Sequence, residues 1–143
     1  MHKLRYPVLA LSLLTLSLGS CKKDSAATPQ PTATSSTQQL TTGSWRLDQI
    51  KQGGQVTGTG SSIKDQYSLT FRTDGTYTQK LLADGTTYPG TWMLMSNNTV
   101  LHLLDNKGTS NDYAVAALTA TELRYTFTNK TGAVEERTFS AQP

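Results

Sequence analysis

From Leu40 onward, apolar and polar residues alternate in short runs broken by turn residues, the pattern of half-buried β-strands. Tyr67, Leu69 and Phe71 alternate with Ser68, Thr70 and Arg72, and beyond Asp74-Gly75 the residues Tyr77, Gln79 and Leu81 share a face. Asp84-Gly85 leads into a run in which Trp92 and Leu94 alternate with Met93 and Met95. The pattern predicts strands over 44–51, 67–72, 76–82, 88–95, 99–105, 112–118, 122–128 and 133–140, with Asn97-Asn98 as a two-residue hairpin turn. No ten-residue stretch has a helical period, and the short connections allow only antiparallel neighbours. An eight-stranded up-and-down meander has two exposed edges unless it closes. The expected fold is therefore all-β, a small eight-stranded antiparallel barrel.

Ahead of this region the pattern changes twice. Lys3 and Arg5 precede the apolar run from Val8 to Gly19, which is short for a membrane span and has the form of a secretory signal peptide. Residues 22–39, including "TPQPTATSSTQQ", lack bulky apolar side chains and cannot offset the entropy of ordering, so they read as a disordered tether. The organisation expected is a leader (1–20), Cys21 with its tether (21–39), and a barrel domain (40–143). Leu18-Gly19-Ser20-Cys21 resembles the lipobox of bacterial lipoproteins. That resemblance implies that Cys21 is lipidated and becomes the new amino terminus, anchoring the protein to a membrane. Several acyl chains hold firmly where one binds only reversibly. Lys22 after the anchor implies, by the same resemblance, the outer membrane rather than retention in the inner one. As the chain's single cysteine, Cys21 also leaves the fold without an internal disulfide.

The formal charge of +3 comes from the first part of the chain, because from Leu40 onward nine Lys/Arg face nine Asp/Glu. A neutral domain offers no footprint for nucleic acid, which is excluded as a partner. Catalysis finds little support. His102 is the only histidine beyond the leader, with no second histidine or cysteine for a metal site or a Cys/His pair. Glu135 and Glu136 are neighbours on a strand and point to opposite faces. No metal, cofactor or enzymatic activity is expected. Residues 52–66, with four glycines, form the longest connection and read as a mobile surface loop or a lid, and their glycines lack P-loop register.

Gly43-Ser44-Trp45 resembles the Gly-x-Trp that opens the first strand of lipocalins, and Asn111-Asp112-Tyr113 is similar to a Thr-Asp-Tyr before their seventh strand, its first position departing. The spread from Leu40 to Phe139 looks like the lipocalin-like domains of bacterial lipoproteins. The resemblance implies that Trp45 closes the barrel floor, and that Arg137, or else Arg124, stacks on it through a cation–π contact. Gly43, Trp45, Asp112 and Arg137 are thus structural candidates. The inward face supplies the candidate ligand lining: Leu69, Phe71, Tyr77, Leu81, Trp92, Leu94, Tyr113 and Tyr125. Two readings remain open. In one, the barrel binds a small apolar or amphipathic molecule in the envelope without chemistry. In the other, those residues fill the core, and an outer face bearing Met93, Met95 and Leu104 docks a protein, as an inhibitor would.

Overall fold

The computed structural model describes residues 35–142. The leader, Cys21 and most of the tether lie outside them. Nine strands follow one short helix, α1 (Ser36–Thr41): β1 (Ser44–Gln52), β2 (Gln55–Thr59), β3 (Tyr67–Phe71), β4 (Thr76–Leu81), β5 (Thr87–Met95), β6 (Val100–Asp105), β7 (Ser110–Leu118), β8 (Glu122–Thr128) and β9 (Val134–Gln142). Each strand pairs antiparallel with its neighbour, and β1 pairs with β9, so β1 and β3 to β9 close an eight-stranded barrel as expected. Closure satisfies the backbone of both terminal strands. At the seam the chain passes so near itself that a Cβ on Gly43 would sit 2.6 Å from the Gln142 carbonyl oxygen. That close approach accounts for the glycine ahead of Trp45.

The ninth strand corrects the reading of residues 52–66. Gln55–Thr59 folds back on the upper half of β1, while the lower half of β1 pairs with β3. A 3₁₀ turn over Gly60–Ser62 follows, and Ile63 is buried in the core. Gln66 Nε2 donates to the Leu47 carbonyl at 2.7 Å where β1 and β3 diverge. The buried isoleucine and this side-chain bond tie down a segment that its glycines marked as loose.

Three other expectations change. Residues 36–39, assigned to the tether, are helical: the Ser35 side chain accepts from the Gln38 amide at 3.2 Å, and fully buried Leu40 anchors the helix to the barrel. The β5–β6 connection is a four-residue turn, since Met95 pairs with Val100, and Ser96, Asn97 and Asn98 all have positive φ. On β1 the alternation slips. A register shift between Leu47 and Gln49 moves the inward set from Trp45 and Leu47 to Ile50 and Gln52. A bulge of this kind is invisible to a strict period of two.

One end of the barrel, the lower, carries the β3–β4, β5–β6 and β7–β8 turns and is closed by α1, which touches β3 and β7. Trp45 is 1% exposed and its Nε1 donates to the Leu40 carbonyl at 2.9 Å. The tryptophan thus lies at the floor, but its cover is the helix. Arg137 does not stack on it: Arg137 pairs with Ile50 in the upper half of the sheet, and Arg124 lies beside Glu122 at 3.6 Å.

Candidate ligand-binding site

The eight lining candidates all point inward. Leu69, Phe71, Tyr77, Trp92 and Tyr125 are buried, and Leu81, Leu94 and Tyr113 pack against them half-buried. They meet as a core. Phe71 packs edge-on against Trp92, with ring centroids 5.5 Å apart, and Trp92 Nε1 donates to the Arg72 carbonyl near the floor. Tyr113 and Tyr125 rings are 4.5 Å apart, and Phe139 lies 5.2 Å beyond Tyr125. Gly90 lets β5 approach this packing, since a Cβ there would collide with the Tyr77 ring and the Leu104 carbonyl. The middle of the barrel is therefore occupied by aromatic rings at contact distances.

The upper end differs. Register puts Gln52, Tyr67, Phe127, Glu135 and Arg137 on inward positions there. Arg137 Nε donates to Glu135 Oε1 at 2.7 Å, and Nη1 donates to the Tyr67 hydroxyl at 2.7 Å. Gln52 Nε2 donates to the other Glu135 oxygen at 3.2 Å, and the Tyr67 and Tyr125 hydroxyls share a 3.3 Å hydrogen bond. Glu135 is only 5% exposed, so its carboxylate is a buried charge held by its partners. Glu136, on the opposite face as expected, pairs with Lys51 at 2.9 Å.

The guanidinium also lies 5.0 Å from the centroid of Phe127 and 5.8 Å from that of Tyr67. Burial alone would lower the Arg137 pKa. The neighbouring phenols and the hydrogen bonds to Glu135 and Tyr67 outweigh that, holding it above its ordinary value, so the cation persists. Burial pushes the Tyr113 phenol up to about 12 and raises Tyr125 as well. Both hydroxyls stay neutral.

Over this cluster opens a cleft of about 370 Å³ lined by Asn111, Phe127, the β8–β9 turn, Glu135 and Arg137. Arg137 Nη2 has no hydrogen-bond partner among the described residues, and Phe127 is half-buried at the wall. Another cleft, of about 320 Å³, lies by α1 and is lined by Gln39, Gln142 and smaller residues around Trp45 and Ala141. It brings no charged side chain together with an aromatic face. A ring face, a retained cation with free donors and a carboxylate converge only in the upper cleft of these two, and that arrangement suits an apolar body carrying a polar tip.

Of the sequence candidates, Tyr125 reaches this cluster through its hydroxyl bond to Tyr67, and Tyr113 through Phe127, their ring centroids being 5.2 Å apart. Trp92 and Phe71 sit toward the other end. Missed were Phe127, Glu135, Tyr67 and Gln52, and Arg137 was given a different role. A signal existed in the odd positions of β9, where Glu135 and Arg137 share the face of buried Phe139, so the strand carries two charges inward. Gln52 lay beyond reach because the β1 bulge reverses its face.

Asp112 is on the outer surface, where its Oδ1 lies 2.6 Å from His102 Nδ1. Met93 and Leu104 point outward and are exposed, while Met95, also outward, is partly covered. Among the described residues no three His, Cys, Asp or Glu side chains are placed to hold a metal ion.

A closed antiparallel barrel with a floor tryptophan and one open end defines a class of proteins built around small-molecule binding. The family model described as a lipocalin-like domain matches residues 41–125, more than half of the chain, and the protein belongs to that family. The matched span ends at Tyr125, ahead of Phe127, Glu135 and Arg137. No curated protein matches the chain.

Proposed function

We propose that this is a lipid-anchored envelope protein whose barrel binds a small apolar or amphipathic molecule at its open end, without catalysis. The observation that carries the reading is the placement of Arg137, held as a cation between Glu135, Tyr67 and the Phe127 ring, with donors left over on the wall of an open cleft. Burial against Phe127 would supply affinity, and Arg137 and Asn111 would set orientation. The filled interior argues for a ligand seated at the rim rather than swallowed. Native mass spectrometry of the Cys21→Ser protein exposed to an envelope extract tests this. A discrete added mass, lost in Phe127→Ala with the fold retained, is expected, and a clean apo mass across extracts refutes a pocket.

The packed aromatic middle also fits the second reading, a barrel that docks a protein. A stoichiometric protein partner together with a clean apo mass would favour it. Lipidation at Cys21 rests on the Leu18-Gly19-Ser20-Cys21 motif. Its test is the intact mass of membrane-extracted protein, which should carry an acyl-sized increment that Cys21→Ala abolishes.

A further inference from the structure

The outer face of β5, β6 and β7 carries a row of side chains that the cleft does not use. Met93 pairs directly with His102, and His102 with Asp112, so thioether, imidazole and carboxylate lie side by side across three strands. All three are outward, because the flanking Trp92, Leu101 and Leu103 are buried in the core and Tyr113 packs against it. Met95 follows Met93 on the same face and is diagonal to His102, a separation of roughly 7–8 Å in a sheet that long side chains span.

The imidazole is oriented. His102 Nδ1 donates to the Asp112 carboxylate at 2.6 Å, which leaves Nε2 as the ring's free lone pair. A carboxylate behind a histidine, fixing its tautomer and ring orientation, is the arrangement that prepares an imidazole to ligate a metal. The donors that the register sets opposite and diagonal to the histidine are the two methionine thioethers, soft and uncharged, which select monovalent copper over harder divalent ions. The surroundings agree: Val100, Leu104 and Ala114 share this outer face, and the single Asp112 charge balances a monovalent cation but leaves a divalent one uncompensated.

We propose that Met93, Met95 and His102, with Asp112 as the positioning residue, form a surface site for a soft monovalent ion, Cu(I). An exposed methionine alone needs no explanation. Two of them on one strand face, with the nearer paired to a carboxylate-oriented histidine, make a donor set of one chemical kind.

The test uses the full chain carrying Cys21→Ser, which removes the competing thiol, with Ag(I) as a redox-inert probe and Cu(I) measured against a chromogenic Cu(I) chelator. NMR should show the Met93 and Met95 methyls and the His102 ring shifting together as a single ion binds. Met93→Leu and His102→Gln should abolish stoichiometric Cu(I) binding while the rest of the spectrum stays folded. Asp112→Asn should weaken it roughly ten- to a hundredfold with the same methyls still shifting, as loss of an orienting partner does. The proposal is overturned if no ion binds, if Ag(I) moves only Met1 and His2, if the variants bind as the parent does, or if Zn(II) competes equally with Cu(I).

Discussion

The two ends of the barrel solve opposite problems with similar residues. At the floor, a tryptophan is sealed by α1 and its one polar atom is satisfied by the Leu40 carbonyl. At the rim, two charged side chains enter the barrel, neutralise each other and leave donors pointing into an open cleft. The floor is what a chain does when stability is the only demand, since apolar burial with every donor paired is the least costly arrangement. A buried ion pair seldom adds net stability over packed hydrophobic residues. The contrast between the ends is therefore one of packing against charge, and the proposed ligand site lies at the charged end.

The sharpest way to break the comparison is Trp45→Ala, which removes the floor. It should cost about 3–5 kcal/mol, as emptying a fully buried aromatic site does, read as a lower midpoint in urea unfolding. Arg137→Met at the rim should cost roughly 3 kcal/mol, because it strands the buried Glu135 carboxylate. The double variant Arg137→Met/Glu135→Leu should regain most of that loss while ligand capture stays abolished. If the double variant is no more stable than the single, the rim is a structural feature like the floor and the contrast fails.

Smaller effects refine the picture. Folding keeps the Tyr113 phenol protonated up to about 12, whereas in the unfolded chain it ionises near 10. The native state therefore binds the extra proton between these values, and this group's contribution to stability should be constant below pH 10 and fall from 10 toward 12. Tyr113→Phe should make that fall shallower while the share of Tyr125 remains, which thermal melts across the alkaline range would register. Ser35→Ala removes only the α1 cap and should cost about 1 kcal/mol, with no effect on ligand capture at the far rim.

Eight of the nine strands and the inward phase of β3, β4 and β5 were readable because alternation with a period of two is local and each strand reports its own buried face. The opposed faces of Glu135 and Glu136 followed from the same rule, whereas the face of His102 stayed open between solvent and core because its strand is apolar on both sides. The errors cluster where a residue's fate depends on distant chain. Gln52 turns inward through a bulge set by pairing with β9. Ile63 is buried because β1 and β3 part company, and α1 is held by the burial of Leu40 and the Trp45 bond to its carbonyl. The Arg137 error has the same origin: a cation–π partner was carried over by family resemblance, and the register put Tyr67 and Phe127 beside it.

By itself the sequence determined that this chain forms a closed meander of short strands, since alternation, turn chemistry and the hazard of open edges each point that way, while the place of Trp45 at its base came from the Gly-x-Trp resemblance. It determined which side chains face inward along most strands. Only the tertiary structure decided whether those side chains meet, because filling depends on barrel width, bulges and ring orientation, all set by long-range pairing. The same pairing brought Arg137 to the rim and aligned Met93, His102 and Asp112 in one row across three strands. Functional groups here are assembled by register, which a linear pattern does not encode.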